Sequence, residues 1–211
     1  MKHFDLSLYL VLDPVLCAGI GMVETARAAV AGGATIVQLR DKHASTASMI
    51  ETGLALKQAL AGTGARLIVN DDVEAAIAIG ADGLHIGQDD MDALTARRLV
   101  GPDMILGLSV ETQALAAAID PALVDYAGIG PVFATPTKPD HKQPIGFAGL
   151  SRMIDLCPVP SVAIGGLKAM HAADALLAGA DGIAVVSAIC GTPDPQAAAA
   201  GIAKAIREAR Q

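Results

Sequence analysis

Tryptophan is missing from this 211-residue chain, and phenylalanine and tyrosine supply only 2% of it. A core without large rings is filled by alanine, valine, isoleucine and leucine, which reach native packing density where helices lie close on a sheet. Basic residues are in the minority, with 15 Lys and Arg against 22 Asp and Glu and a formal charge of −7. Nucleic-acid binding needs a basic stripe that neutralises phosphates, so that partner class is excluded. Small anions are not, because they require only a local cluster of cations. Cysteine occurs three times, as Cys17, Cys157 and Cys190, with no CxxC pair and no histidine at zinc-finger spacing. That excludes a disulfide framework and a structural zinc site, and suits reduced thiols in the cytoplasm. No uncharged run approaches the ~20 residues of a membrane-spanning helix. The apolar stretch 6–12 lies between Asp5 and Asp13 with no cleavage pattern after it, so it reads as a first strand and not as a secretory leader. No strand-like run leads into G-x-G-x-x-G, which removes a dinucleotide-binding sheet.

What the chain does contain is 53% hydrophobic residues arranged in short runs. Eight of them, at 6–12, 35–39, 66–69, 83–86, 104–108, 126–129, 161–164 and 182–186, are nearly continuous and do not alternate with polar residues. That is the pattern of parallel strands buried on both faces. Between them lie Ala-rich segments of helical period at 22–31, 45–61, 73–79, 94–100, 111–119, 147–156, 170–177 and 195–209. Gly32-Gly33, Gly80-Ala81-Asp82-Gly83 and Gly179-Ala180-Asp181-Gly182 put glycine just after a helix and just before a strand, where it ends the helix without Cβ strain. Eight βα units with no linker predict an α/β fold, a single-domain (β/α)8 barrel of the TIM class over residues 1–211.

Such a barrel builds its active site at the C-terminal ends of its strands. The second strand ends in Gln38-Leu39-Arg40-Asp41-Lys42. If it continues through Arg40, Gln38 and Arg40 share one face, and Arg40 with Lys42 offers a fork and a point charge to a polyanion. The third strand ends in Asn70-Asp71-Asp72, and the fourth runs through His85 into Gly87-Gln88-Asp89-Asp90. Adjacent strands lie ~4.8 Å apart, so Asp71 and Asp90 can converge on one Mg2+, which takes one or two carboxylates plus substrate phosphate oxygens. Helix capping competes for these acids, and for Asp72 and Asp89 capping or exposure fits at least as well. His85 suits a hydrogen-bonded core histidine. Ser109, ending strand five, has no His and Asp arranged for a nucleophilic triad and reads as a binding residue.

The sixth strand leads into residues 130–138, where Pro131 and Pro136 set the path and Thr135, Thr137 and Lys138 face one small volume suited to an anion or a lid. The seventh ends in Ile164-Gly165-Gly166 and the eighth in Val186-Ser187. Loops at these two positions form the recurrent phosphate site of such barrels.

Taken in order, QLRDK at 38–42, NDD at 70–72, HIGQDD at 85–90, GLS at 107–109, GPVFATPTK at 130–138, IGG at 164–166 and VSAI at 186–189 resemble the thiamine-phosphate synthase family over nearly the whole chain. Ala134 departs from that pattern, where many relatives carry proline. The resemblance implies a Mg2+-dependent transferase that joins 4-amino-2-methyl-5-(diphosphomethyl)pyrimidine to a thiazole phosphate, carboxylated or not, releasing pyrophosphate. It implies that Gln38, Arg40, Lys42, Asn70, Ser109 and Lys138 bind the pyrimidine diphosphate, with Arg40, Lys42, Ser109 and Lys138 as catalytic groups. It assigns Asp71 and Asp90 to the metal, and Thr135, Thr137, Gly166, Val186 and Ser187 to the thiazole phosphate. Partners would be phosphorylated small molecules, with self-association into a homo-oligomer left open. A thiazole tautomerase on a related barrel and a non-catalytic phosphate- or thiamine-binding barrel are the competing readings.

Overall fold

The computed structural model describes residues 2–135 and 142–211. Among them, eight strands alternate with eight α-helices: β1 (Leu8–Val11), α1 (Met22–Ala31), β2 (Ile36–Leu39), α2 (Thr46–Leu60), β3 (Arg66–Asn70), α3 (Val73–Ile79), β4 (Gly83–Ile86), α4 (Ala93–Val100), β5 (Ile105–Val110), α5 (Gln113–Ala117), β6 (Tyr126–Ile129), α6 (Gly146–Ile154), β7 (Ser161–Ile164), α7 (Ala172–Leu177), β8 (Gly182–Val185) and α8 (Pro195–Ala209). The strands pair in chain order, all parallel, and β8 closes on β1. The expected (β/α)8 barrel is the architecture observed. Three helices keep their predicted bounds. The largest difference is α5, predicted over 111–119: β5 runs on to Val110, and Thr112 caps the helix from its side chain, accepting from Leu115 N at 3.2 Å.

Both strand faces are buried, as the unbroken apolar runs require. Outward residues such as Leu10, Val37, Val69, Leu84 and Leu106 pack under the helices. Inward residues, Tyr9, Ile36, Ile68, Ile105, Tyr126, Val162 and Ala184, fill the barrel. The chain's two tyrosines therefore meet at the barrel centre, ring centroids 5.9 Å apart. Gly107 makes that room, because a Cβ there would lie 2.2 Å from Tyr126 Cζ.

A four-fold clamp sets strand register at the N-terminal rim. The residue just before each even-numbered strand bonds back to the strand before it. Asp82 accepts from Leu67 N at 2.9 Å, Asp125 from Leu106 N at 2.8 Å and Asp181 from Ser161 N at 2.8 Å. Thr35 does the same with its hydroxyl, accepting from Leu8 N at 3.2 Å. The Ala-Asp-Gly phrases thus hold two devices: Gly80 ends α3 in the left-handed region at φ 60°, and Asp82 pins β3 to β4.

Candidate active site

A single cavity at the C-terminal end of the barrel is lined by Gln38, Arg40, Lys42, Asn70, Asp71, Asp90, Ser109, Thr135, Gly166, Val186 and Ser187. The structure therefore brings together eleven of the expected site residues. Thr137 and Lys138 lie outside the described residues. β2 ends at Leu39, so Arg40 and Lys42 stand on the loop just beyond the strand and not within it. Asp41 turns that loop toward α2 by accepting from the backbone N–H groups of His43 and Ala44 at 3.0 and 3.2 Å.

The acidic pair sits opposite. Asp71 is the one non-glycine residue with positive φ (63°) among the described residues, a conformation that Asp tolerates better than most side chains. Its N–H bonds to His85 O at 2.9 Å, folding the end of β3 over β4. Asn70 Nδ2 donates to Asp71 Oδ2 at 2.5 Å. Burial, followed by the hydrogen bond and charge of Asp90, pushes the Asp71 carboxyl up to about 6, with Lys42 and Asn70 pulling the other way. Asp90 is held by Gly87 N–H at 2.8 Å, and a Cβ at Gly87 would come within 2.7 Å of the same Oδ2. Two carboxylates in hydrogen-bond contact repel when both are ionised, and a shared cation relieves that repulsion.

Capping is corrected in one place. Asp72 caps α3, accepting from Ala75 N at 2.8 Å, but the cap of α4 is Asp92, which accepts from Thr95 N at 2.9 Å. Asp90 is therefore not spent on a helix. Among the described residues no cluster of three or more His, Cys, Asp and Glu could hold a metal; two carboxylates completed by water and substrate phosphate oxygens are a donor set that Mg2+ accepts.

The floor of the cavity is polar on one side. His85, buried as expected, places Nε2 2.9 Å from Ser109 Oγ and Nδ1 2.9 Å from the Tyr126 hydroxyl. Ser109 thus has a histidine partner that sequence reasoning did not foresee, because β4 and β5 become neighbours only in the barrel. The third group is a phenol and not a carboxylate, so the triad remains incomplete. Tyr9 and Glu111 also line the cavity. Tyr9 is hidden in sequence inside an aliphatic run, and Glu111 inside a predicted helix. The signal for Tyr9 was its rarity, one of two tyrosines in the chain.

The loop after β6 is zipped to the end of β7, with Val132 N bonding Ile164 O at 2.9 Å and Phe133 N bonding Gly165 O at 3.0 Å. Gly165 and Gly166 have φ 105° and 64°, and a Cβ on Gly166 would meet Ala134 O at 2.8 Å. These glycines permit the close approach of the loop that carries Thr135.

Residues 8–189 match the family model of thiamine monophosphate synthase. A thiamine-phosphate synthase from Xanthobacter autotrophicus is 52% identical over 209 residues, covering 99% of each chain, and one from Azorhizobium caulinodans is 47% identical over the full length of both. A solved thiamine phosphate pyrophosphorylase from Pyrococcus furiosus superposes with a TM-score of 0.88 at 36% identity, covering 98% of each chain. A 3-hexulose-6-phosphate synthase, at 20% identity and TM-score 0.71, shares the barrel alone. Motif order, barrel geometry and near-complete coverage agree, and the chain belongs to the thiamine monophosphate synthase family.

Proposed function

We propose that this barrel condenses 4-amino-2-methyl-5-(diphosphomethyl)pyrimidine with a thiazole phosphate to give thiamine phosphate and pyrophosphate. The observation that carries it is the meeting of Asp71, Asp90, Arg40 and Lys42 in one cavity, acids beyond β3 and β4 together with cations beyond β2. Arg40, Lys42 and Asn70, with Lys138, bind the diphosphate oxygens. Asp71 and Asp90 would hold Mg2+, which when bound would supply charge neutralisation to the leaving diphosphate. The bond from the pyrimidine methylene to the diphosphate oxygen breaks with its electron pair leaving on pyrophosphate, and the thiazole nitrogen lone pair forms the new C–N bond. No side chain has to remove a proton from carbon; rate comes from positioning and from fixed charge around the leaving group. Thr135, Thr137, Gly166, Val186 and Ser187 seat the thiazole phosphate beside the β7 and β8 ends, in the usual anion position of this fold.

A tautomerase would have no use for an acid pair beside a diphosphate cluster. Three free cysteines suit a reducing, cytoplasmic setting. The test is pyrophosphate release measured with both substrates, with each alone, and with Mg2+ removed by chelation. Release that needs all three components is expected; release from the pyrimidine diphosphate alone at an undiminished rate, or none under any condition, overturns the proposal.

A further inference from the structure

The barrel interior holds a continuous hydrogen-bonded chain across five strands. Gln38 Nε2 donates to the Tyr9 hydroxyl at 2.7 Å, and the two tyrosine hydroxyls are 2.7 Å apart. The Tyr126 hydroxyl is 2.9 Å from His85 Nδ1, and His85 Nε2 is 2.9 Å from Ser109 Oγ. Both tyrosines are fully buried, which holds their hydroxyls in the neutral form far above the ordinary phenol range.

A neutral phenol carries one proton, so the chain has a direction. Tyr9 receives the Gln38 N–H and passes its own proton to Tyr126. Tyr126 in turn donates to His85 Nδ1. A neutral imidazole that accepts at Nδ1 carries its proton on Nε2, which then points at Ser109 Oγ. Ser109 accepts within the chain and keeps its own O–H for the cavity it lines. At the far end Gln38 has spent an amide N–H, and its carbonyl oxygen takes no part in the chain. Turning the Gln38 amide over would reverse every link, offering the cavity an N–H from Gln38 and a lone pair from Ser109. The two ends are therefore complementary in either order, one accepting where the other donates.

We propose that Tyr9, Tyr126 and His85 are positioning residues that lock Ser109 as donor and Gln38 as acceptor, so that the cavity selects a ring that offers an amino N–H to Gln38 and an unprotonated ring nitrogen to Ser109 over the corresponding oxo ring. This rests on the reading of the cavity as a 4-aminopyrimidine diphosphate site. It also explains why His85, though bonded to Ser109, is no general base for it: the chain puts the imidazole proton on the nitrogen facing the hydroxyl.

Two measurements test it. Nitrogen-15 NMR of the full-length wild-type protein without substrates reads the His85 tautomer directly, with Nε2 protonated and Nδ1 bare as the expected state. A bare Nε2 with protonated Nδ1 overturns the proposal and needs no variant that folds. This readout is independent of turnover, so a wild-type protein with the expected tautomer and no pyrophosphate release would sink the functional reading and leave the proton order standing. The second is selectivity. Tyr126→Phe cuts the chain at its middle and frees its halves to order separately, so the preference for the 4-amino diphosphate over its 4-oxo analogue, read as the ratio of kcat/KM or of inhibition constants, should fall about tenfold, with KM for the thiazole phosphate unchanged. An unchanged ratio, or equal losses for both substrates, overturns the proposal.

Discussion

Asp71 is held in an environment that its charge opposes, and replacing it by asparagine should stabilise the metal-free protein. Asparagine keeps the shape of the side chain, can still accept from Asn70 and tolerates the left-handed φ of 63° that alanine would resist. The carboxyl is raised from 3.8 to about 6 by burial and by Asp90. A shift of ~2 pK units is worth about 3 kcal/mol against the ionised folded state. Asp71 is only half-buried, and solvent screening brings the net effect to about 1 kcal/mol. The sign follows from proton binding: between 3.8 and about 6 the folded state holds the proton more tightly than the unfolded chain, so the stability it brings is complete below that window and lost as pH rises through it. Thermal unfolding at pH 8 without divalent metal should therefore place Asp71→Asn ~2–4 °C above wild type, with the difference vanishing near pH 4. Added Mg2+ should raise the wild-type midpoint and leave that of the variant unmoved, because only the carboxylate pair binds the ion in the folded state. Pyrophosphate release by the variant should be abolished. A variant less stable than wild type at pH 8, or one whose advantage is the same at pH 4, would refute the reasoning.

If Lys138 has the diphosphate-binding role proposed for it, Lys138→Ala should raise KM for the pyrimidine diphosphate by about tenfold or more while leaving the melting temperature in place, because that role is a charge-assisted bond; wild-type steady-state kinetics would remove it from the site. Asp125→Ala should cost about 3 kcal/mol in urea unfolding, because Lys2 and Arg97, each 2.7 Å from the carboxylate, and Leu106 N–H at 2.8 Å all lose their shared acceptor. A loss below about 1 kcal/mol would mean that solvent screens the cluster as it does an ordinary surface pair. Gly107→Ala should destabilise by about 1–3 kcal/mol through overpacking against Tyr126, whose Cζ a new methyl would meet at 2.2 Å; unchanged stability there would show that the Tyr126 ring shifts freely.

Pattern made the barrel legible because each strand is buried on both faces and each helix on one, and those two periods survive in composition alone. The strand-end residues were legible for a related reason: Gln38, Arg40, Asn70, Asp71 and Ser109 interrupt apolar runs at positions where packing gives no account of them. What sequence left open are relations between strands distant in the chain. The bond from His85 to Ser109 spans 24 residues and that from Tyr9 to Tyr126 spans 117, and neither follows from any local spacing. The placement of Asp90 was likewise invisible in composition, since Asp92 takes the cap of α4 and Gly87 lets the Asp90 carboxylate fold toward Asp71.

These hidden contacts share a cause. A barrel interior is filled in layers by inward residues of several strands, so a polar group placed there must find its partner on another strand or remain unsatisfied. Among the described residues no buried side-chain nitrogen or oxygen lacks a partner. Gly107 clears space for Tyr126, and Gly128 brings no side chain against His85, where a Cβ would stand 3.2 Å from the imidazole Cε1. Small residues on β5 and β6 thus admit the two large polar ones, and the scarcity of aromatics elsewhere follows the same logic. The helices need only alanine to lie close on the sheet, whereas the centre of the barrel needs hydroxyl-bearing rings long enough to join Gln38 on one side to Ser109 on the other.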